Sequence, residues 1–144
     1  MKKILAVLVF MILCSCNSQK IYENFDISYS RSGGFAPIYE NVLIKGKNLH
    51  YAFEGQGKKI KKDFKISDAE LESLQKSLTQ NNFRFIETDH KKMYDNITTT
   101  INVKIGSEAA IKNDGSGIMP KDEKKWQNIT QVFRNLIDSK LNNQ

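Results

Sequence analysis

The first half of the chain contains four segments rich in apolar residues, three of which alternate between apolar and polar positions. In order they are FDISYS from Phe25, the more continuous run YENVLIK from Tyr39, NLHYAFE from Asn48 and IKKDFKI from Ile60. Alternation with a period of two is typical of a strand with one buried face. The connecting segments KGKN and GQGKK are polar and contain glycine, which favours hairpin turns. This half of the chain is predicted to form four strands.

The spacing of apolar residues becomes helical in the middle of the chain. The sequence SDAE at residues 67–70 is a capping box, in which the serine hydroxyl and the glutamate carboxylate each accept from a backbone amide at the helix start. Leucines at helical spacing follow, and the pair Asn81 and Asn82 predicts a left-handed helix end. FRFIE, from Phe83, is predicted to be a short extended segment.

The last third of the chain predicts two strands and a second helix. ITTTINVKI, from Ile97, is the clearest alternating segment, and a turn at Gly106 separates it from the short strand EAAIKN. DGSG, from Asp114, is predicted to be a turn because it lacks the alternating oxygen ligands of a calcium loop. The helix that follows carries the apolar stripe Trp126, Ile129, Phe133, Leu136, Ile137 and Leu141.

These elements predict an α+β fold. Strands that are apolar on one face, together with two amphipathic helices, form two layers: an antiparallel sheet of about five to seven strands with both helices packed on its apolar face. The chain of 144 residues is long enough for one such domain.

The N-terminus predicts export. The short positive segment Met1 to Lys3 precedes an uninterrupted apolar run from Ile4 to Leu13. This run is shorter than the roughly 20 residues that a membrane-spanning helix needs, but it fits the apolar core of a signal peptide.

The segment LCSC, residues 13–16, resembles the lipobox of bacterial lipoproteins. The resemblance implies that Cys16 carries diacylglycerol and that the new N-terminus is acylated, for example with palmitate. Cys14 fits less well, because the residue before it is large. The alternative is an ordinary cleaved signal peptide with two incidental cysteines.

The lipobox defines the expected organisation of the chain. We expect a lipoprotein signal peptide at residues 1–15, a tether at residues 16–24 and a single domain at residues 25–144. Acyl chains buried in the bilayer would then hold the protein to a membrane of the cell envelope, facing the periplasm.

Composition argues against several functions. The chain has 22 basic and 16 acidic residues, with lysine in large excess over arginine. Specific recognition of nucleic acid favours arginine, so no nucleic-acid partner is predicted. Beyond Cys16 the sequence contains no cysteine, so the mature protein can form neither an intrachain disulfide nor a thiolate zinc site. No cofactor and no metal are predicted.

Two histidines are the candidates for catalysis. His50 falls on the polar face of its strand, whereas His90 lies in TDHKKMYD with Asp89 and Asp95. A general base or a metal ligand needs such neighbours, but no held nucleophile and no set of three zinc ligands accompanies them. The sequence therefore predicts a protein that is not an enzyme, with a hydrolase around His90 as the least favoured alternative. Asp95 is expected to fix a loop by accepting from backbone amides.

The fourth strand is rich in lysine, at positions Lys58, Lys59, Lys61, Lys62 and Lys65. Lysines of this kind are typical of a sheet edge that is protected from pairing with another sheet. The alternative interpretation is a surface that binds anionic lipid or an acidic partner. We favour edge protection.

The segment SRSGGFAPI places two glycines between a cation and an aromatic residue. Arg31 can pair with a carboxylate, the glycines allow a close approach of the backbone, and Phe35 can fill a pocket. Arginine and aromatic residues are common at the centres of interfaces. The alternative is a connection between strands in which Phe35 folds into the core and Pro37 keeps Ala36 extended. The physical arguments leave both interpretations open.

SRSGGFAPI is similar to the RSGGFAG motif of emfourins, small bacterial protein inhibitors of protealysin and other thermolysin-like zinc metallopeptidases. The similarity continues through a leucine-rich helix, an aspartate at Asp95 before ITTTINVKIG and an amphipathic C-terminal helix, over most of Tyr29 to Leu141. The connection between the motif and the first helix is longer here, by the hairpin KNLHYAFEGQGKKIKKDFK.

The resemblance implies a function and the residues that carry it. The expected protein is a lipid-anchored, non-catalytic protein of the cell envelope that binds or inhibits a secreted thermolysin-like metallopeptidase. The alternative is an envelope binding module for another protein or a polyanion, which would use the lysine-rich strand. The residues expected to bind the peptidase are Arg31, Ser32, Gly33, Gly34 and Phe35.

Overall fold

The structure of the protein, a computed structural model, describes residues 24–91 and 96–142. These residues form an antiparallel sheet of six strands and two α-helices, which confirms the predicted two-layer α+β fold. The strands are β1 (Ile27–Gly33), β2 (Ile38–Lys45), β3 (Asn48–Gly55), β4 (Lys58–Lys65), β5 (Ile97–Val103) and β6 (Ala110–Asn113). The helices are α1 (Asp68–Gln80) and α2 (Pro120–Asn142).

The strands are ordered β4-β3-β2-β1-β5-β6 across the sheet. β1 lies in the interior, where it pairs with β2 on one side and with β5 on the other. Its alternate residues Ile27 and Tyr29 are buried, and the Tyr29 ring stacks on Phe133 of α2 with 4.9 Å between ring centroids. The hydrophobic core therefore lies between one face of the sheet and the helices, while serine, threonine and asparagine occupy much of the other face.

The predicted capping box forms at the start of α1. The Ser67 hydroxyl accepts from the Glu70 amide at 3.2 Å, and the Glu70 carboxylate accepts from the Ser67 amide at 2.7 Å. Lys140 of α2 lies 2.7 Å from the same carboxylate, so the cap also joins the two helices. Partial burial acts to raise the pKa of Glu70, but the hydrogen bonds from Lys140 and Ser67 outweigh it and hold that pKa below its usual value.

The segment that follows α1 differs from its prediction. Asn82 adopts the predicted left-handed conformation, but Phe83–Phe85 form a 3-10 turn, so an extended segment at FRFIE is wrong. The Ile86 amide donates to the Phe83 carbonyl at 3.2 Å. This spacing of three residues buries Phe83 and Ile86 together and leaves Phe85 71% exposed.

β4 is an edge strand of the sheet, as its lysines predict. Its register with β3 pairs Lys59 with Glu54, on the face away from the helices, and the two side chains are 3.1 Å apart. Lys58, Lys59 and Lys61 are all exposed. The charges therefore lie where another strand would have to approach.

We expect the lysines to keep β4 from pairing with another sheet. Replacing Lys58, Lys59, Lys61 and Lys62 by Gln removes the charges that oppose strand addition and should increase aggregation. Light scattering at increasing protein concentration measures this effect, with binding to vesicles containing phosphatidylglycerol measured in parallel. Unchanged solubility with a large, salt-sensitive loss of vesicle binding would contradict edge protection and favour the polyanion-binding alternative.

Candidate functional site at the β1–β2 hairpin

The motif at residues 31–35 forms the end of the β1–β2 hairpin. Gly33 is the last residue of β1 that pairs with both β2 and β5, and Gly33 and Gly34 have φ angles of +105° and +89°. A Cβ atom on Gly33 would lie 2.7 Å from the carbonyl oxygen of Asn96. Glycine is therefore required here because β5 approaches the hairpin closely. On the side that faces Asn96, Gly33 therefore leaves room for the protein's own backbone and not for a partner, contrary to expectation.

Phe35 lies at the tip of the hairpin and is 93% exposed. The interpretation in which Phe35 folds into the core is therefore wrong. The last residue pair between the two strands is Gly33 and Ile38, so Phe35 extends beyond the end of the sheet. Tyr39 (65% exposed) and Ile97 (38% exposed) flank the tip on opposite faces of the sheet. The hairpin thus presents three large apolar side chains to solvent.

Arg31 points into the protein. Its Nη1 donates to Glu40 Oε2 at 3.2 Å, across the β1–β2 pair. Glu40 is only 5% exposed, and it also accepts from Arg134 Nη1 of α2 at 2.7 Å and from the Tyr51 hydroxyl of β3 at 3.1 Å. Ser32, by contrast, is exposed on the other face of the sheet. One buried carboxylate therefore joins three strands to α2 at the base of the hairpin.

The electrostatics of this network account for the burial of Glu40. A buried carboxylate is costly unless it is paired and hydrogen-bonded, and two guanidinium groups meet that need here. Burial acts to lower the pKa of Arg134, but Glu40 outweighs it and raises that pKa. Burial and the charge of Glu40 also raise the pKa of Tyr51, so its hydroxyl keeps the proton that it donates.

Glu40 and Arg134 belong to the site but not to the sequence motif. The available signal in the sequence is the phase of Glu40 in β2, that is, the strand face on which it falls. Glu40 falls on the same face as the buried residues Ile38, Val42 and Ile44. A charged residue in a buried phase predicts that it has a partner, but the phase does not identify that partner. Arg134 is 94 residues away in the sequence, and only the packing of α2 brings it to Glu40.

A cleft of about 720 Å³ opens beside the hairpin, between β1, β5 and the part of α2 that runs from Pro120 to Arg134. Asp114 at its edge accepts from the Thr99 amide at 2.6 Å and from the Trp126 indole N–H at 3.0 Å, which ties β5 to α2. The predicted DGSG turn is confirmed, since the Gly117 amide donates to the Asp114 carbonyl at 2.9 Å. Other residues that line the cleft include Tyr29, Arg31, Ile97, Glu123 and Arg134.

The histidines considered for catalysis lie apart from each other. His50 Nδ1 is 2.7 Å from Asp63 Oδ1 on the sheet face away from the helices, and His90 is exposed with a φ of +53°. Asp89 forms an ion pair with Lys91. Within residues 24–91 and 96–142, no group of three or more histidine, cysteine, aspartate or glutamate side chains is placed to hold a metal ion. The hairpin and cleft offer contact area, charge and hydrogen bonds, which suit binding.

Several predicted features fall outside the described residues. They are the signal peptide at residues 1–15, the lipidation site Cys16, the tether up to residue 23, and the loop aspartate Asp95. Among the helices of the described ranges, none is long and apolar enough to cross a membrane.

Comparison with known proteins finds no matching protein-family model and no significant match among curated proteins. The geometry of the hairpin and the sequence motif are therefore the observations that bear on the function of this chain.

We expect Glu40→Ala to destabilise the fold by about 3 kcal/mol, because it leaves two guanidinium groups and a buried hydroxyl without their shared acceptor. This is the lower end for a broken buried pair, since both arginines retain some contact with water. The matched control is Glu54→Ala in β3, whose exposed pair with Lys59 should contribute less than about 1 kcal/mol. Urea unfolding measures both, and equal losses for the two variants would contradict the role of Glu40.

Proposed function

We propose that the protein is a lipid-anchored, non-catalytic protein of the cell envelope that binds and inhibits a thermolysin-like metallopeptidase through the tip of its β1–β2 hairpin. The observation that carries this proposal is the 93% exposure of Phe35 on a hairpin whose base is held by Glu40. A large aromatic side chain in water gains free energy when a partner buries it. Tyr39 and Ile97 beside the tip enlarge the apolar area that a partner can cover.

The held base of the hairpin supports tight binding. Ordering a loop during association costs free energy, and a loop that is already ordered avoids that cost. Arg31 and Glu40 link the two strands of the hairpin, Arg134 links them to α2, and the close approach of Asn96 to Gly33 restricts the hairpin from the β5 side. Burying Phe35 then requires little reorganisation of the protein.

The five motif residues have different roles in this proposal. Phe35 and Ser32 are exposed and can touch the peptidase directly. Arg31 positions the hairpin through Glu40 and lines the neighbouring cleft, while Gly33 and Gly34 allow the turn. The similarity of SRSGGFAPI to the emfourin motif supports a thermolysin-like peptidase as the partner.

The alternative function is an envelope binding module for another protein or a polyanion, with β4 as its surface. The exposed lysines on an edge strand favour it, because such a strand can receive both charge contacts and backbone pairing. Lys59 already pairs with Glu54 within the sheet, which reduces the charge that it offers. We therefore rank this function second.

We expect Phe35→Ala to reduce inhibition of the susceptible peptidase about thirtyfold or more, because truncating a residue at an interface centre typically costs at least ~2 kcal/mol. The melting temperature should stay unchanged, since Phe35 contributes almost no buried area to the fold. Inhibition of a panel of thermolysin-like peptidases and the melting temperature are measured on the same samples.

The control for this variant is Phe85→Ala, which removes an aromatic side chain that is also exposed but lies in the 3-10 turn beside β6. It should leave both inhibition and melting temperature unchanged. A fall in melting temperature for Phe35→Ala would make the hairpin tip structural. A wild-type protein that inhibits no member of the panel would end the inhibitor proposal.

We expect Cys16 to carry the lipid, because a small residue precedes it and Leu13 stands three positions before it. Metabolic labelling with a palmitate analogue should disappear in Cys16→Ser and persist in Cys14→Ser. Label that persists in Cys16→Ser would refute the lipid anchor.

A further inference from the structure

The chain enters the domain at the end of the sheet opposite the hairpin tip. β1 begins at Ile27, which pairs with Ile44 and Val103 at that end, and it runs to Gly33 at the other end. At about 3.3 Å per residue the length of β1 separates the two ends by about 20 Å. A tether that joins β1 therefore reaches the domain on the side away from Phe35.

Four lysines occupy the end of the sheet where the chain enters. Lys65 and Lys45 are both register partners of Asn48, and the Lys104 amide donates to the Asp26 carbonyl at 2.8 Å. Because neighbouring strands lie about 4.8 Å apart, the three lysines are spaced by about 10 Å along one row. Lys47 lies in the adjacent β2–β3 turn. We call Lys45, Lys47, Lys65 and Lys104 the tether-end lysines.

The tether-end lysines are only partly neutralised by their neighbours. Asp26 accepts from Lys45 at 2.6 Å, and Asp68 accepts from Lys47 at 2.8 Å. Lys65 instead donates to the neutral Asn48 side chain, and Lys104 lies 3.6 Å above the Phe25 ring. Two of the four ammonium groups thus pair with a carboxylate, and Lys47, Lys65 and Lys104 are exposed.

We propose that the tether-end lysines bind the anionic phospholipid headgroups of the membrane that holds the lipid anchor, so that the hairpin tip points away from that membrane. This inference rests on the proposed anchor at Cys16. Whatever their conformation, residues 16–23 span at most about 28 Å, so this end of the domain stays close to the bilayer. A lysine near an anionic surface contributes about 1 kcal/mol, within a screening length of about 8 Å.

This orientation of the domain on the membrane suits the proposed binding of a peptidase. With the tether-end lysines on the membrane, Phe35 stands on the aqueous side, where a secreted peptidase can approach it. The basic residues of β4 other than Lys65 lie further along the strand toward the opposite end of the sheet. The proposal therefore assigns the membrane contact to the end of the sheet and not to the β4 edge.

Trp126, the single tryptophan of the chain, reports the orientation. The Trp126 indole donates to Asp114, which also accepts from the Thr99 amide. Thr99 is the register partner of Arg31 in β1. This level is about 13 Å along β1 from Ile27. Acylated protein is reconstituted in vesicles of phosphatidylcholine alone or mixed with phosphatidylglycerol, and energy transfer from Trp126 to a dansyl headgroup is measured. When the tether-end lysines lie on the membrane, Trp126 is held away from the dansyl headgroups, which lowers the energy transfer.

The test variant replaces Lys47, Lys65 and Lys104 by Gln, and keeps Lys45 because that residue holds Asp26. We expect wild-type protein to show lower transfer on anionic than on neutral vesicles, and high salt or the triple variant to abolish the difference. The matched control replaces three exposed lysines near the opposite end of the sheet and should behave like the wild type. The control lysines are Lys91, Lys121 and Lys124.

A second measurement separates this proposal from the anchor on which it rests. Mature protein with Cys16→Ser, which cannot carry the diacylglycerol, should bind anionic vesicles about 100-fold more weakly when Lys47, Lys65 and Lys104 are replaced, and as before when the control lysines are replaced. The proposal would be overturned if the two triple variants lost vesicle binding equally. It would also be overturned if wild-type protein showed equal energy transfer on neutral and anionic vesicles. Acylated wild-type protein that fails to sediment with phosphatidylcholine vesicles would refute the anchor instead.

Discussion

The hairpin depends on one buried carboxylate. Glu40 accepts from Arg31 of β1, Arg134 of α2 and Tyr51 of β3, so a single side chain joins neighbouring strands to the long helix. A buried charge tolerates few alternative arrangements, because any movement that breaks its pairs exposes the full cost of its desolvation. The network therefore restricts the direction in which the end of the hairpin projects, and with it the position of the exposed Phe35 side chain.

The motif combines two tasks that the sequence alone does not separate. Arg31 points inward and stabilises the base of the hairpin, whereas Phe35 points outward and is 93% exposed. Gly33 lies between them because Asn96 of the neighbouring segment leaves no room for a side chain. A hairpin fixed at its base and apolar at its tip is a suitable binding element, and the proposed tether, which would join β1 at its opposite end, would leave the tip accessible.

Much of the fold follows from the period of the sequence, and much of the site does not. Alternation predicts the strands, the sequence SDAE predicts the cap of α1, and the density of lysine predicts that β4 is an edge. The prediction of an extended segment at FRFIE is wrong, because Asn82 turns the chain and the 3-10 turn that follows sets a spacing of three residues between Phe83 and Ile86. The partners of Glu40 could not be predicted, because phase gives the face of a strand and not the helix residue packed against it.

Photo-crosslinking from position 35 in intact cells tests the central claim most directly. With a benzophenone amino acid in place of Phe35, we expect a covalent adduct to a thermolysin-like peptidase, on peptides near its catalytic cleft. The same probe in place of Phe85, which is exposed elsewhere on the domain, should give no such adduct. Peptidase adducts of equal yield from the two positions, or no peptidase adduct from position 35, would contradict the assignment of the hairpin tip as the binding surface.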